Sequence, residues 1–498
     1  MNLPAYGALE NAFTRLYRYQ HLGAIAGWDQ AAKMPARGNH ARGAALAELD
    51  VLIHQTLTDE SLTGLMATAN TEPIEAAQRA NLREMRRDWE QASLLSARLI
   101  EAKSLAGSRC EHAWRTQRKE NDWRGFLENF TEVVKLSREE AHTLSQARGL
   151  SPYDALMDKY EPGSLSTDID VIFGDLKTWL PALIGKVRDK QADETVVAAQ
   201  GPFPIDRQRA LGLDIMGLLG FDFSAGRLDV STHPFCGGVA EDVRITTRYS
   251  EDDFMRSMMG IVHETGHARY EQNLPRDTVH LPVGRARSMG IHESQSLSFE
   301  MQLGRSPAFL TLISPLVKKH LGDQEAFDSA NLARIYTRVK PGLIRVDADE
   351  LTYPAHVILR YEIERALMDG DIEAEDIPAL WDQKMMAYLA IDTRHDFQNG
   401  CLQDIHWPGG SFGYFPSYTL GAMYAAQYFA SMRSLHTNLD AAVAQGDLSP
   451  IFDWLNSHVW SQASQWETKE LVRRATGEVL NPRHFRSHLE DRYLGVAV

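Results

Sequence analysis

The stretch FMRSMMGIVHETGHARYEQN, residues 254–273, decides how this chain is read. It follows Ser250-Glu251-Asp252-Asp253, a run that predicts a helix beginning near Asp252, with an N-cap and an acidic first turn suited to the helix dipole. Within it, His263, Glu264 and His267 stand in the order H-E-x-x-H. Positions i and i+4 of an α-helix lie one above the other, so both imidazoles can reach one metal ion. Glu264 stands beside them, placed to take a proton from a water that zinc has made acidic. Together the three residues form a hydrolytic apparatus. Two histidines four apart can also be ordinary surface residues. The apolar Met258, Met259, Ile261 and Val262 just before the motif argue against that, because they bury the helix where unpaired imidazoles are costly.

A catalytic zinc takes three protein ligands, so one must come from another element. The segment Ile291-His292-Glu293-Ser294-Gln295-Ser296-Leu297-Ser298-Phe299-Glu300 reads as a second helix and offers Glu293. The intervening residues are enough for a loop and a return helix. Glu300, two turns further along the same face, is suited either to orienting a ligating histidine or to plain solvation. His292 competes with Glu293 for the ligand role, but its side chain points about 100° away around the helix. Upstream, GRLDVSTHPFCGGVAEDVRITTRY, residues 226–249, breaks the helical pattern. Val243, Ile245 and Thr247 alternate with Arg244, Thr246 and Arg248 after a Gly-Gly pair, which predicts a small β-hairpin feeding the motif helix.

Elsewhere helical periodicity dominates, as at Leu9, Phe13, Leu16 and Tyr17, from Leu105 to Trp123 and from Phe126 to Leu144. The loop signals Glu161-Pro162-Gly163, Gly201-Pro202-Phe203-Pro204 and Trp407-Pro408-Gly409-Gly410 are too short to be flexible linkers. No internal repeat is present, which excludes solenoids and propellers. The expectation is one catalytic unit over residues 1–498. Its 52 basic against 67 acidic residues give a net charge of -15, so nucleic acid and anionic membrane surfaces are excluded as partners. Cys110, Cys236 and Cys401 form neither a disulfide framework nor a zinc ribbon, which leaves His and carboxylates to hold any metal. Without a signal-peptide pattern or an apolar span, the expected location is the cytoplasm.

Several motifs converge on a known family. HETGH with IHESQS, His233-Pro234-Phe235, the D-x-R-x-T pattern Asp242 to Thr246, and Gln403-Asp404-Ile405-His406-Trp407 resemble the carboxypeptidase Taq family of zinc metallocarboxypeptidases. The resemblance begins near Trp28-Asp29 and Met34-Pro35. It includes Arg345-Val346-Asp347-Ala348-Asp349-Glu350 with Thr352-Tyr353, and runs through Gly413-Tyr414-Phe415-Pro416 to Gly477 and Tyr493. It implies that His263, His267 and Glu293 bind one zinc per chain, for which Co2+ can substitute, and that Glu264 is the general base and then a proton shuttle. It implies a mainly α, large helical metallopeptidase, with a deep groove between two lobes and a small β-sheet beside the zinc helix. It also implies a homodimer that releases single C-terminal amino acids from peptides with broad specificity. Cys236 directly follows the His-Pro-Phe motif, where no thiol is required; it is either a small packing residue or an inhibitory ligand.

Other polar residues receive provisional parts. His406 and Tyr414 either donate to the oxyanion of the reacting carbonyl or are simply packed. His233 and Arg244 are expected along the groove, with the 243–247 strand pairing to an extended peptide, while Arg248 faces solvent. The Trp454 to Trp466 run reads as core packing. Among Arg244, Arg345 and Arg360, Arg345 is the choice to bind the substrate's terminal carboxylate, although it could instead be ion-paired to Asp347 or Glu350. Two other functions stand beside the carboxypeptidase: a dipeptidyl carboxypeptidase or oligopeptidase of similar build, and a non-catalytic zinc-containing peptide-binding protein. Glu264 argues against the last, because binding alone needs no general base.

Overall fold

In the computed structural model, residues 3–495 are described, and they are mainly α-helical with one three-stranded sheet. The first helix, Pro4–Ala32, buries Leu9, Phe13 and Leu16 at helical spacing. With the next helices it encloses a core of its own, from Ala5 to Met85, which Leu281 and Val283 join from a distant loop. The main core extends from Leu99 to Tyr493. The predicted continuous run from Leu105 to Trp123 is instead split: one helix ends at Gln117 and the next begins at Trp123, capped by Asp122. No helix among the described residues is long and apolar enough to cross a membrane.

The sheet corrects the hairpin expectation. Strands β1 (Gly226–Val230), β2 (Cys236–Val239) and β3 (Asp242–Thr247) lie in the order β1-β3-β2, with β1 parallel and β2 antiparallel to β3. The predicted Gly-Gly turn is part of β2: Gly237 pairs with Arg244 and Gly238 with Val243, which leaves Ala240 and Glu241 as the connection. Gly238 has φ +88°, and a Cβ there would stand 2.1 Å from the Asp242 carbonyl oxygen, so the turn into β3 needs glycine at that position. Because β3 is hydrogen-bonded on both sides, it has no free edge for an added peptide strand. Val243 and Ile245 instead bury against Ile261 and Ala268 of the following helix.

That helix, Phe254–Gln272, is the motif helix. Asp253 caps it by accepting from the N–H groups of Met255 and Arg256 at 2.9 and 3.2 Å. Met258, Met259, Ile261 and Val262 are all buried, as their apolar character requires. A second helix, Met289–Leu297, is capped by Ser288 and runs straight into a π-helical turn, Ser298–Gly304. A third, Pro416–Leu435, begins with proline in its first turn and lies against the second.

Two glycines set how close these helices come. A Cβ on Gly266 would stand 2.5 Å from the Gln295 carbonyl oxygen, and one on Gly421 would stand 2.7 Å from Cβ and Cγ of Glu293. The motif helix and the Pro416–Leu435 helix therefore both press on the helix that carries Glu293.

Candidate metal centre and substrate groove

His263 and His267 project from one face of the motif helix toward Glu293, and one ligand atom from each of the three residues lies within 4.8 Å of the other two. The hydrogen-bond network fixes which nitrogens are available. His263 donates from Nδ1 to Glu300 Oε2 at 2.9 Å, leaving Nε2 to face the cluster. His292 Nε2 lies 2.8 Å from Glu271 Oε1, and a carboxylate there can only accept. With its Nε2 proton directed at Glu271, His292 accepts at Nδ1 from His267 Nδ1 at 2.7 Å, so His267 turns Nε2 toward Glu293 Oε2, 3.5 Å away. Two imidazole lone pairs and a carboxylate form a donor set suited to zinc. His292 thus turns both ring nitrogens to His267 and Glu271 and stands outside the three-residue cluster. Glu300 is in turn held by Arg305 at 2.5 Å.

The electrostatics favour a cation. Burial disfavours charge on His263, but the Glu300 hydrogen bond and the Glu293 carboxylate outweigh it and raise the pKa to about 10. The same negative field favours a divalent cation, whose binding at Nε2 would displace the proton. Burial lowers His267 to about 4, which keeps it neutral. Burial, with the Glu293 and Glu300 charges, pushes Glu264 up to about 7 even though His263 pulls it down.

These residues open onto a groove of about 830 Å3 whose far wall carries Arg345, Tyr353, Tyr414 and Tyr418. The alternative ion pairing of Arg345 is not found: it binds neither Asp347 nor Glu350. Its Nε donates to Asp404 Oδ1 at 2.9 Å and its Nη1 to Tyr353 Oη at 2.6 Å. Asp347 instead meets Arg256 at 3.1 Å. The other oxygen of Asp404 takes Arg360 Nε at 2.6 Å, so two guanidinium groups share one carboxylate. Arg360 is 0% exposed and packs over Trp381. The surplus positive charge is therefore presented to the groove by Arg345, itself only 5% exposed. Burial and the Arg345 charge lower His406 to about 4, so it adds no further charge.

The sequence matches the carboxypeptidase Taq (M32) metallopeptidase family over residues 8–493. The chain belongs to that family. It is similar to thermostable carboxypeptidase 1 of Thermus thermophilus, at 36% identity over 97% of this chain and 98% of that one. Carboxypeptidase 1 of Bacillus subtilis is 34% identical, over 96% of each chain. The solved structure of Trypanosoma cruzi metallocarboxypeptidase 1 superposes with a TM-score of 0.97 at 49% identity, covering 99% of this chain and all of that one.

Not every residue singled out in this M32 metallopeptidase reaches the groove. Arg244 lies in a separate cleft with Asp29 and Arg42, paired to Asp242 at 2.7 Å and stacked over Trp28. His233 is exposed and stands outside the groove lining, although its neighbours Pro234, Phe235 and Cys236 belong to it. Cys236 is partly buried, and burial and the nearby Glu264 charge raise its thiol pKa well above the ordinary value, which keeps it protonated. Tyr414 faces the groove, whereas His406 stands behind the wall, its Nε2 3.1 Å from Tyr418 Oη. Arg248 is exposed, and Trp454 and Trp460 are buried. Sequence reasoning gave no role to Asp404, Tyr418 or Arg305. Asp404 did lie within a quoted motif, and Tyr418, in the first turn of the Pro416–Leu435 helix, packs its ring 5.2 Å from that of Tyr414, which stands just before the helix.

Proposed function

We propose that this M32 metallocarboxypeptidase is a zinc enzyme that releases single amino acids from the free C-termini of peptides, as one catalytic unit. The observation that carries the reading is the pair Arg345 and Arg360 sharing only Asp404, which leaves a fixed positive charge on the wall of the groove that also holds His263, His267 and Glu293. A buried cation of this kind fits the planar carboxylate at a peptide's end, which a guanidinium binds in bidentate fashion. Tyr353, hydrogen-bonded to Arg345, adds a hydroxyl beside that carboxylate.

His263, His267 and Glu293 would hold the zinc, which supplies Lewis acidity to water and to the scissile carbonyl and brings the pKa of that water to about 7. Glu264 removes the water's proton as oxygen attacks the carbonyl carbon, then delivers it to the departing amine nitrogen as the C–N bond breaks. No hydrogen bond ties its carboxylate to the described residues around it, which leaves it free to take the proton and to give it up. Tyr414 donates to the oxygen that gains charge. His406 acts through Tyr418 by fixing the orientation of that phenol. Four methionines, Met255, Met259, Met289 and Met301, line the same groove, and their adaptable side chains support broad acceptance of terminal residues.

The three cysteines are unpaired, with Cys110 and Cys401 buried, which supports a reducing compartment such as the cytoplasm. A homodimer rests on the family resemblance. The activity is tested by mass spectrometry of a defined peptide incubated with the protein. The expected products form a ladder of single-residue losses from the C-terminus, abolished by a chelator and restored by zinc. Dipeptides or internal fragments would instead establish the oligopeptidase reading, and bound but intact peptide the non-catalytic one.

A further inference from the structure

The C-terminal helix, Arg483–Leu494, meets both sides of the site at one buried carboxylate. Glu350 lies between Arg345 and Tyr353 in the chain, and its side chain is fully buried. Three residues of the helix's last turns converge on it. His488 Nε2 stands 2.6 Å from Oε1, while Arg492 Nη1 and Tyr493 Oη donate to Oε2 at 2.9 and 3.2 Å. His488 and Arg492 are four apart, so they share a helix face. Arg492 also donates through Nη1 to the Met301 carbonyl and through Nη2 to the Gln302 carbonyl, the latter at 3.2 Å. Those carbonyls lie toward the end of the π-helical turn, where backbone acceptors run out of helical partners. That turn carries Glu300, which holds His263.

We propose that the C-terminal helix is a latch: Arg492, with His488 and Tyr493, positions the π-helical turn that supports ligand His263 and, through Glu350, the segment that carries Arg345 and Tyr353. The inference rests on the metal site and carboxylate anchor proposed above. One guanidinium spans the two segments. Loss of Arg492 leaves Glu350 short of a charged donor and two carbonyls unpaired, which frees both segments to shift. Arg492, His488 and Tyr493 are positioning residues; none of them lines the groove.

The test uses the full zinc-loaded chain as wild type, Arg492→Gln and Tyr493→Phe. Met66→Ala, a truncation in the separate N-terminal core, is the control for general destabilisation. Zinc release to a chromogenic chelator, thermal unfolding and steady-state kinetics per bound zinc are measured for each. Arg492→Gln is expected to release zinc about tenfold faster, the lower end of the loss when support for a metal ligand is removed. Its KM for free-acid peptides should rise more than its kcat falls. Met66→Ala should unfold earlier and leave both quantities unchanged. The latch is overturned if Arg492→Gln releases zinc at the wild-type rate, or if Met66→Ala releases it as fast as Arg492→Gln. Should Arg492→Gln fail to fold, Tyr493→Phe decides: faster release supports the latch and an unchanged rate overturns it. A wild type that holds no zinc overturns the metal site, and the latch with it.

Discussion

The two histidines of the candidate metal centre are each constrained by the next side chain out, so the effect of a substitution follows from what it leaves unpaired. His263 is held by Glu300 and Glu300 by Arg305; His267 is held by His292 and His292 by Glu271. Glu264 is different, since no hydrogen bond ties its carboxylate to these supports, and it is the group proposed above to transfer the proton. Replacing it by glutamine keeps its shape and removes its ability to take a proton. Glu264→Gln is therefore expected to retain zinc while turnover falls by at least about a hundredfold, the scale of losing a general base. Metal analysis paired with turnover checks this. Full zinc with near-normal turnover would assign the base elsewhere.

Among the elements, those that local rules govern were legible in the sequence. The motif helix carried its cap, its apolar face and its H-E-x-x-H spacing within one continuous run, and Glu293 sat on a recognisable second helix. The sheet was legible only in part. The pairing of β1 with β3 joins segments separated by β2, and nothing in the local pattern of Gly226 to Val230 specifies a parallel neighbour. Arg345 could be singled out but its partner could not, because Asp404 lies far along the chain and the fold alone brings it into reach. The tight contact at Gly421 was hidden for the same reason, since a glycine inside a helix gives no sign of what it faces. Adding a methyl group there must displace Glu293 relative to the Pro416–Leu435 helix. Gly421→Ala is expected to cost about 1–3 kcal/mol of stability, the usual range for overpacking, and to lower zinc affinity as well. Thermal unfolding with and without zinc reads both; an unchanged gain in stability on adding zinc would show that Glu293 had not moved.

At the scale of the whole molecule, the site is an electrostatic contrast within a chain of net charge -15. Carboxylates gather around His263 and His267 on one wall of the groove, and a surplus guanidinium charge stands on the other. On the proposed reading, a peptide that enters with a free C-terminus places its carboxylate at the positive wall and its last amide near His263, His267 and Glu293. The decisive measurement compares cleavage of one peptide as the free acid and as the C-terminal amide, by wild type and by Arg345→Ala. Wild type is expected to cut the free acid and to process the amide poorly. Arg345→Ala is expected to lose roughly 2 to 5 kcal/mol of transition-state binding toward the free acid, read from kcat/KM. Equal cleavage of acid and amide by the wild type would mean that the positive wall does not recognise a terminal carboxylate.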